Sequence, residues 1–198
     1  EKIDIKSKTT EELKALLVQW GEKPFRAGQI FGWLHEKRVS SWEEMTNVSK
    51  ALRERMAQDC ELVSVTEIDR LESADGTKKF LFELSDGQAI ESVLMKYHHG
   101  NSVCISSQAG CRMGCKFCAS TLGGLIRNLT ASEMLEQIYA IERITGETVS
   151  NVSLTPPKCL GPEYVLRGFS PGCLRSHVMR KGTLQICISV CSWIKGLT

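Results

Sequence analysis

Hydrophobic positions in the first sixty residues recur at helical spacing. Leu13, Leu16 and Leu17 share one face of a segment opened by Thr9-Thr10-Glu11-Glu12. There Thr9 can cap the helix and Glu12 can reach back to it, and Gly21 suits the far end. Pro24 fits the first position of a second helix, on which Phe25, Ile30, Phe31 and Leu34 form a stripe with Trp33 beside it. A third helix is predicted near Ser41. A fourth, from about Ser49, carries Leu52 and Met56. Together these predict a small helical unit over residues 1–60.

From residue 61 the period drops to two. Asp75-Gly76 and Asp86-Gly87 are hairpin turn signals around Lys79-Phe80-Leu81-Phe82-Glu83-Leu84 and Ala89-Ile90-Glu91-Ser92-Val93-Leu94-Met95. On this period alone Glu91 is a solvent-facing carboxylate and Cys104, in Val103-Cys104-Ile105, is a buried strand cysteine. Adjacent strand residues point to opposite faces, so His98-His99 reads as part of a turn with Gly100-Asn101 and not as a metal pair. Residues 61–100 thus predict an antiparallel β-hairpin extension that delivers the chain into a further strand. Thr130-Ala131-Ser132-Glu133 can cap a helix carrying Met134, Leu135, Ile138, Tyr139 and Ile141, which Gly146 can end before a strand near Val149. Strand, loop, helix and strand over residues 101–152 make one βα unit of a parallel sheet, and the fold class is α/β.

Composition narrows the class without deciding the function. A hydrophobic content of 42% supports a core, and no apolar run approaches membrane-spanning length, which excludes a helical membrane protein. Glu1-Lys2-Ile3-Asp4 does not open a signal peptide, so nine cysteines imply a reducing, cytoplasmic interior. Lys23, Arg26, Lys37, Arg38, Lys50, Arg53 and Arg55 can meet phosphates. Because Glu36, Glu43, Glu44 and Glu54 interleave with them, charge alone favours ordinary solvated helix faces.

The chemistry concentrates at Ala109-Gly110-Cys111-Arg112-Met113-Gly114-Cys115-Lys116-Phe117-Cys118, a C-x3-C-x2-C pattern. Three thiolates this close can hold one face of an iron–sulfur cluster, which usually takes four, leaving one iron open to a chelating small molecule. Gly110 and Gly114 let backbone approach the sulfides, and Phe117 sits beside the last ligand. Packing explains three cysteines in eight residues poorly. Zinc is the stronger rival, but structural zinc sites favour four ligands in two separated pairs, and no C-x2-C partner lies elsewhere.

The run from Cys104 through Cys118 to Ala119-Ser120-Thr121-Leu122-Gly123-Gly124-Leu125 resembles the radical S-adenosylmethionine enzymes. More narrowly, it resembles the dual-specificity RNA methyltransferases among them, which act on C2 of adenosine in 23S rRNA and tRNA. The resemblance covers about residues 2–152. It implies a partial (β/α)6 barrel preceded by a helical RNA-recognition domain, with a 4Fe-4S cluster on Cys111, Cys115 and Cys118. It further implies S-adenosyl-L-methionine on the open iron beside Phe117, a one-electron reductant such as flavodoxin, and a monomer. Under the same resemblance Cys104 assists proton removal and adduct resolution, Glu91 is the proton acceptor, and a methyl-carrying cysteine lies further on. A sister group methylates C8 of the same adenosine, and Arg112-Met113 and residues 119–124 look more like the C2 group.

Past Val152 the likeness stops. The family's Met-Gly-x-Gly-Glu-Pro is replaced by Ser153-Leu154-Thr155-Pro156-Pro157-Lys158-Cys159. Residues 1–150 hold 19 basic and 22 acidic groups, net −3, whereas residues 151–198 hold 6 and 1, net +5, with four of the five prolines. The abrupt change predicts an unrelated or frame-shifted segment over 153–198, a truncated barrel and an inactive chain. A non-catalytic RNA-binding module and a zinc-stabilised structural protein stay open beside the enzyme reading.

Overall fold

A computed structural model describes residues 2–98, 100–112 and 119–155. The first part holds α1 (Thr10–Gln19), α2 (Arg26–Phe31) and α3 (Lys50–Asp59), with the short parallel strands β1 (Ile3–Asp4) and β2 (Cys60–Glu61) drawing its two ends together. Thr9 caps α1 as the sequence predicts. Its hydroxyl accepts from the Glu12 amide, while the Glu12 carboxylate accepts from the Thr9 amide at 2.7 Å. The helix predicted near Ser41 is only a single 3-10 turn, Trp42–Glu44. Glu44 folds back to accept the amide protons of Ser40 and Ser41, and the backbone leaves the helical region at Met45, so the cap exists without a helix to follow it. Leu13, Leu17, Ile30, Leu34, Leu52 and Met56 form the core of this part.

β3 (Thr66–Glu72), β4 (Lys78–Glu83), β5 (Ala89–Tyr97), β6 (Gly100–Ser106) and β9 (Val149–Thr155) form one sheet in that order. The first four strands are antiparallel, and β9 runs parallel to β6. Gly76 and Gly87 occupy the left-handed region at the two Asp-Gly turns, a conformation that lacks a steric penalty only for glycine. Between β6 and β9 lie the short antiparallel strands β7 (Gln108–Gly110) and β8 (Leu125–Asn128) and the helix α4 (Ala131–Thr145). β9 continues three residues beyond Val152, where the family resemblance ends.

α4 is covered well beyond the apolar stripe of Met134, Leu135, Ile138, Tyr139 and Ile141. Every residue from Ser132 to Glu142 is buried, including Glu133, Glu136 and Gln137. One side packs on the sheet through Leu135, Ile138 and Ile141, against Phe80, Phe82, Leu94, Val103 and Ile105. The other side meets the N-terminal part through polar contacts. Lys6 Nζ lies 2.7 Å from Glu136 Oε2 with both side chains only 1% exposed, and it also donates to the Val63 carbonyl at 2.7 Å. Arg143 donates to the other Glu136 oxygen. Ser132 Oγ donates to Asp4 at 2.6 Å, and His35 Nδ1 lies 2.9 Å from the Tyr139 hydroxyl. His35 stands on a widened turn, Gly32–Glu36, that extends α2. Arg38, the one non-glycine residue with a left-handed backbone among the described residues, pairs with Glu142 and lies over the Tyr139 ring.

Burial pulls the Lys6 ammonium below its usual range even with Glu136 against it. A buried pair of this kind confers little net stability as a pair, yet leaving one partner alone is costly, because a bare charge stays in a dry site. Replacing Lys6 with methionine leaves Glu136 to Arg143 alone and is expected to lower the unfolding free energy by about 1–3 kcal/mol. Replacing Lys6 and Glu136 together by apolar residues should recover part of that loss. Denaturant titration of the three chains checks both.

Candidate cluster loop and active-site face

The loop that carries the cysteine motif is closed at its base. β7 enters it and β8 leaves it, paired Gln108 to Asn128 and Ala109 to Arg127. The Cys111 amide donates to the Gly124 carbonyl at 2.9 Å, which closes the ring immediately at the first motif cysteine. Gly110 has φ +72°, and a Cβ there would stand 2.0 Å from the Gly124 oxygen. Only glycine fits that approach, so Gly110 acts by letting two backbones touch at the neck of the loop.

A salt-bridge cluster fastens the return strand. Arg127 donates to Asp86 at 2.7 Å and to both Glu133 oxygens at 2.7 and 2.8 Å. Glu133 in turn closes the capping box of α4 with Thr130. Arg127 therefore joins the loop neck, the hairpin turn after β4 and the start of α4. Arg127 draws the Asp86 carboxyl below its ordinary value. Burial pushes Glu133 upward, but the Arg127 hydrogen bonds and the Thr130 amide outweigh it and leave the group lowered.

Of the motif cysteines, Cys111 is described and half-buried, while Cys115, Phe117 and Cys118 lie outside the described residues. The described residues alone contain no cluster of three metal-ligating side chains. The donor set nevertheless suits a cluster. Three cysteines within eight residues of sequence, the first of them at the pinned neck, supply the soft ligands a cluster takes.

Glu91 and Cys104 share one face of the sheet. Cross-strand partners point the same way, and Cys104 lies opposite Val93 on β5 and Ser153 on β9. Glu91 is two residues from Val93, which makes Glu91 and Cys104 diagonal neighbours, about 7–8 Å apart in a regular sheet. That face is the one turned away from α4, since Ser92, Leu94, Val103 and Ile105 take the α4 side. Cys104 is buried, as its strand context suggests. Glu91 is half exposed, and its Oε1 lies 2.5 Å from Lys79 Nζ on the neighbouring strand. No local signal marks Lys79 or Arg127 in the sequence, because each is an isolated basic residue whose meaning comes only from the partner that the fold brings to it.

Comparison with known proteins places this geometry. Residues 3–62 match the family described as ribosomal RNA large subunit methyltransferase N-terminal domain. The region through β9 resembles part of a radical S-adenosylmethionine methyltransferase. A crystal structure of a radical SAM methyltransferase from Sphaerobacter thermophilus is 39% identical, with a TM-score of 0.69 over 76% of this chain and 46% of that one. The probable dual-specificity RNA methyltransferase RlmN of Lachnoclostridium phytofermentans is 65% identical over 153 residues, 77% of this chain and 43% of the relative. That of Bacillus subtilis is 53% identical over 153 residues, 77% and 42%. Over its first three quarters the chain is thus similar in sequence to RlmN proteins. It spans less than half the length of these relatives.

Two outcomes follow from the neck. Gly110→Ala should cost at least about 1–3 kcal/mol of local backbone strain and open the loop, read as loss of iron retained after anaerobic reconstitution. Asp86 and Glu133 are lowered in the folded state, so the stability they contribute is present above the ordinary carboxylate range. It is lost as pH falls through their depressed values, below about pH 4. Amide protection at residues 125–128, taken relative to the intrinsic exchange rate at each pH, should therefore fall in acid, and Arg127→Met should remove that acid dependence.

Proposed function

We propose that this chain carries the cluster-binding and proton-handling portion of an RNA methyltransferase directed at C2 of adenosine in 23S rRNA and tRNA. The observation that carries the reading is the closed loop neck at Gly110 and Cys111, which holds a C-x3-C-x2-C motif inside a segment 65% identical to an RlmN relative. On this reading residues 1–60 are a helical RNA-recognition domain and residues 61–100 a β extension. Residues 101–152 open a partial (β/α)6 barrel, and residues 153–198 are an atypical segment.

Cys111, Cys115 and Cys118 would hold a 4Fe-4S cluster, and with Phe117 they would form the site for S-adenosyl-L-methionine. When bound, that pair supplies the one-electron chemistry needed at an adenine carbon too electron-poor to act as a nucleophile. The protein's own part is orientation and proton handling. Glu91, on the face turned from α4, accepts the proton leaving the adenine, and Lys79 against its Oε1 holds the carboxylate in one orientation. Cys104, one diagonal step away, offers a thiol to the same base from within the sheet. Lys37 over the Trp33 ring and Arg55 over the Trp20 ring present cations with aromatic faces, a combination suited to nucleic acid. A flavodoxin-type reductant, a monomeric state and a cytoplasmic setting complete the proposal. Among the described residues no helix is long and apolar enough to cross a membrane.

Residues 153–198 lack the Gly-Glu-Pro segment and any cysteine in a setting like the family's methyl carrier, so methyl transfer by this chain alone is expected to be negligible. Anaerobic reconstitution with iron and sulfide should give the broad visible absorbance of a cysteine-ligated cluster, and substituting any of the three motif cysteines by alanine should abolish it. Stoichiometric zinc without that absorbance would establish the zinc-stabilised reading in its place.

A further inference from the structure

Gln137 lies on α4, is fully buried, and makes four hydrogen bonds at the end of β6. Its Oε1 accepts the Ser106 amide at 2.9 Å and the Ser92 hydroxyl at 2.8 Å. Its Nε2 donates to the Ser106 carbonyl at 2.9 Å and to the Glu133 carbonyl at 3.2 Å. A side-chain amide that takes both the N–H and the C=O of one residue does what a neighbouring strand would do. The pairing of β5 with β6 runs from Tyr97 and Gly100 to Val93 and Cys104, and its register stops there. One step further, where Glu91 would face Ser106, the Ser106 hydroxyl donates to the Glu91 carbonyl at 2.7 Å in place of a backbone bond.

We infer that Gln137 is a positioning residue: it ends the β5–β6 ladder at Cys104 and sets the path of Ser106 into the cluster loop. It thereby fixes the Cys104 thiol and the Glu91 backbone relative to the neck at Cys111. The inference rests on the proposed function for its meaning, but its geometry stands apart from any bound cluster. Only Ser106 and Ser107, with the three residues of β7, separate the β6 segment around Cys104 and Ile105 from Cys111. Small changes at Ser106 therefore pass directly into both parts. Sequence pattern hides the role, because a glutamine beside Ile138 on a helix reads as the polar flank of an apolar stripe.

The test uses the full chain and two of its own thiols. Cys104 reports on the end of β6. Cys60, buried beneath the helical part with its thiol pushed up to about 11 by burial, reports on opening elsewhere. Iodoacetamide labelling is followed by mass spectrometry for the wild type, Gln137→Leu and Gln137→Glu. If Gln137→Leu does not fold, Gln137→Glu keeps the acceptor oxygen while losing the donor to the Ser106 carbonyl, and the same ratio is read. Loss of Gln137 should raise Cys104 labelling about tenfold more than Cys60 labelling, through local opening at the end of β6 beyond any general loss of stability. In the reconstituted protein the electron paramagnetic resonance change produced by S-adenosylmethionine should weaken in the same variants. Equal acceleration at both thiols, or no change at Cys104, overturns the inference. Absence of any cluster signal in the wild type overturns the cluster reading instead, and the ratio of labelling at the two thiols then decides the role of Gln137 by itself.

Discussion

The buried ion pair between Lys6 and Glu136 is the constraint on which the arrangement turns. An ammonium and a carboxylate with 1% exposure each, with Arg143 on the second carboxylate oxygen, need close mutual contact, which restricts how α4 sits against the N-terminal part. Around them Asp4, Ser7 and Ser132 share hydrogen bonds, while His35 and Arg38 engage Tyr139 and Glu142. These contacts are polar where α4 faces the N-terminal part, and apolar apart from Gln137 where it faces the sheet. The helix is thus gripped from both sides, by directional bonds on one and by close packing on the other.

With α4 held, the neighbouring chemistry acquires its positions. Glu133 near its first turn binds Arg127, Arg127 holds the return strand of the loop, and Gly110 brings the entering strand into contact with it. From the next turn of α4, Gln137 reaches the end of β6. Three buried polar residues of one helix, Glu133, Glu136 and Gln137, therefore fix the loop neck, the N-terminal part and the strand that carries Cys104. The sheet contributes by alternation. Its apolar residues face α4, which leaves Glu91 and Cys104 on the opposite surface without any special backbone device.

Much of this is legible in the order of residues. Period-two runs and two Asp-Gly turns place β4, β5 and their hairpins, and the caps at Thr9 and Thr130 place α1 and α4, because each signal is local and has a single physical cause. The spacing of Cys111, Cys115 and Cys118 is a local signal of the same kind, although Cys115 and Cys118 lie outside the described residues. What the order of residues hides is partnership over distance. Glu136 and Gln137 lie on a helix whose second covered face is supplied by residues 130 positions earlier, and no window around α4 contains Lys6. The helix predicted at Ser41 fails for the opposite reason. Its cap is real, but Met45 turns the chain away before a second turn can form. Glu91 reads as an ordinary exposed carboxylate until the register sets it diagonally from Cys104.

The central claim is that three thiolates from one pinned loop hold a cluster with a single iron left open to S-adenosylmethionine. Mössbauer spectroscopy of the chain reconstituted with iron-57 tests it most directly. Three thiolates and one open iron require that about one quarter of the signal shift when S-adenosylmethionine is added, as a single unique iron changes its ligands. A spectrum that stays unchanged on addition, or one in which every iron is equivalent before and after, would contradict it.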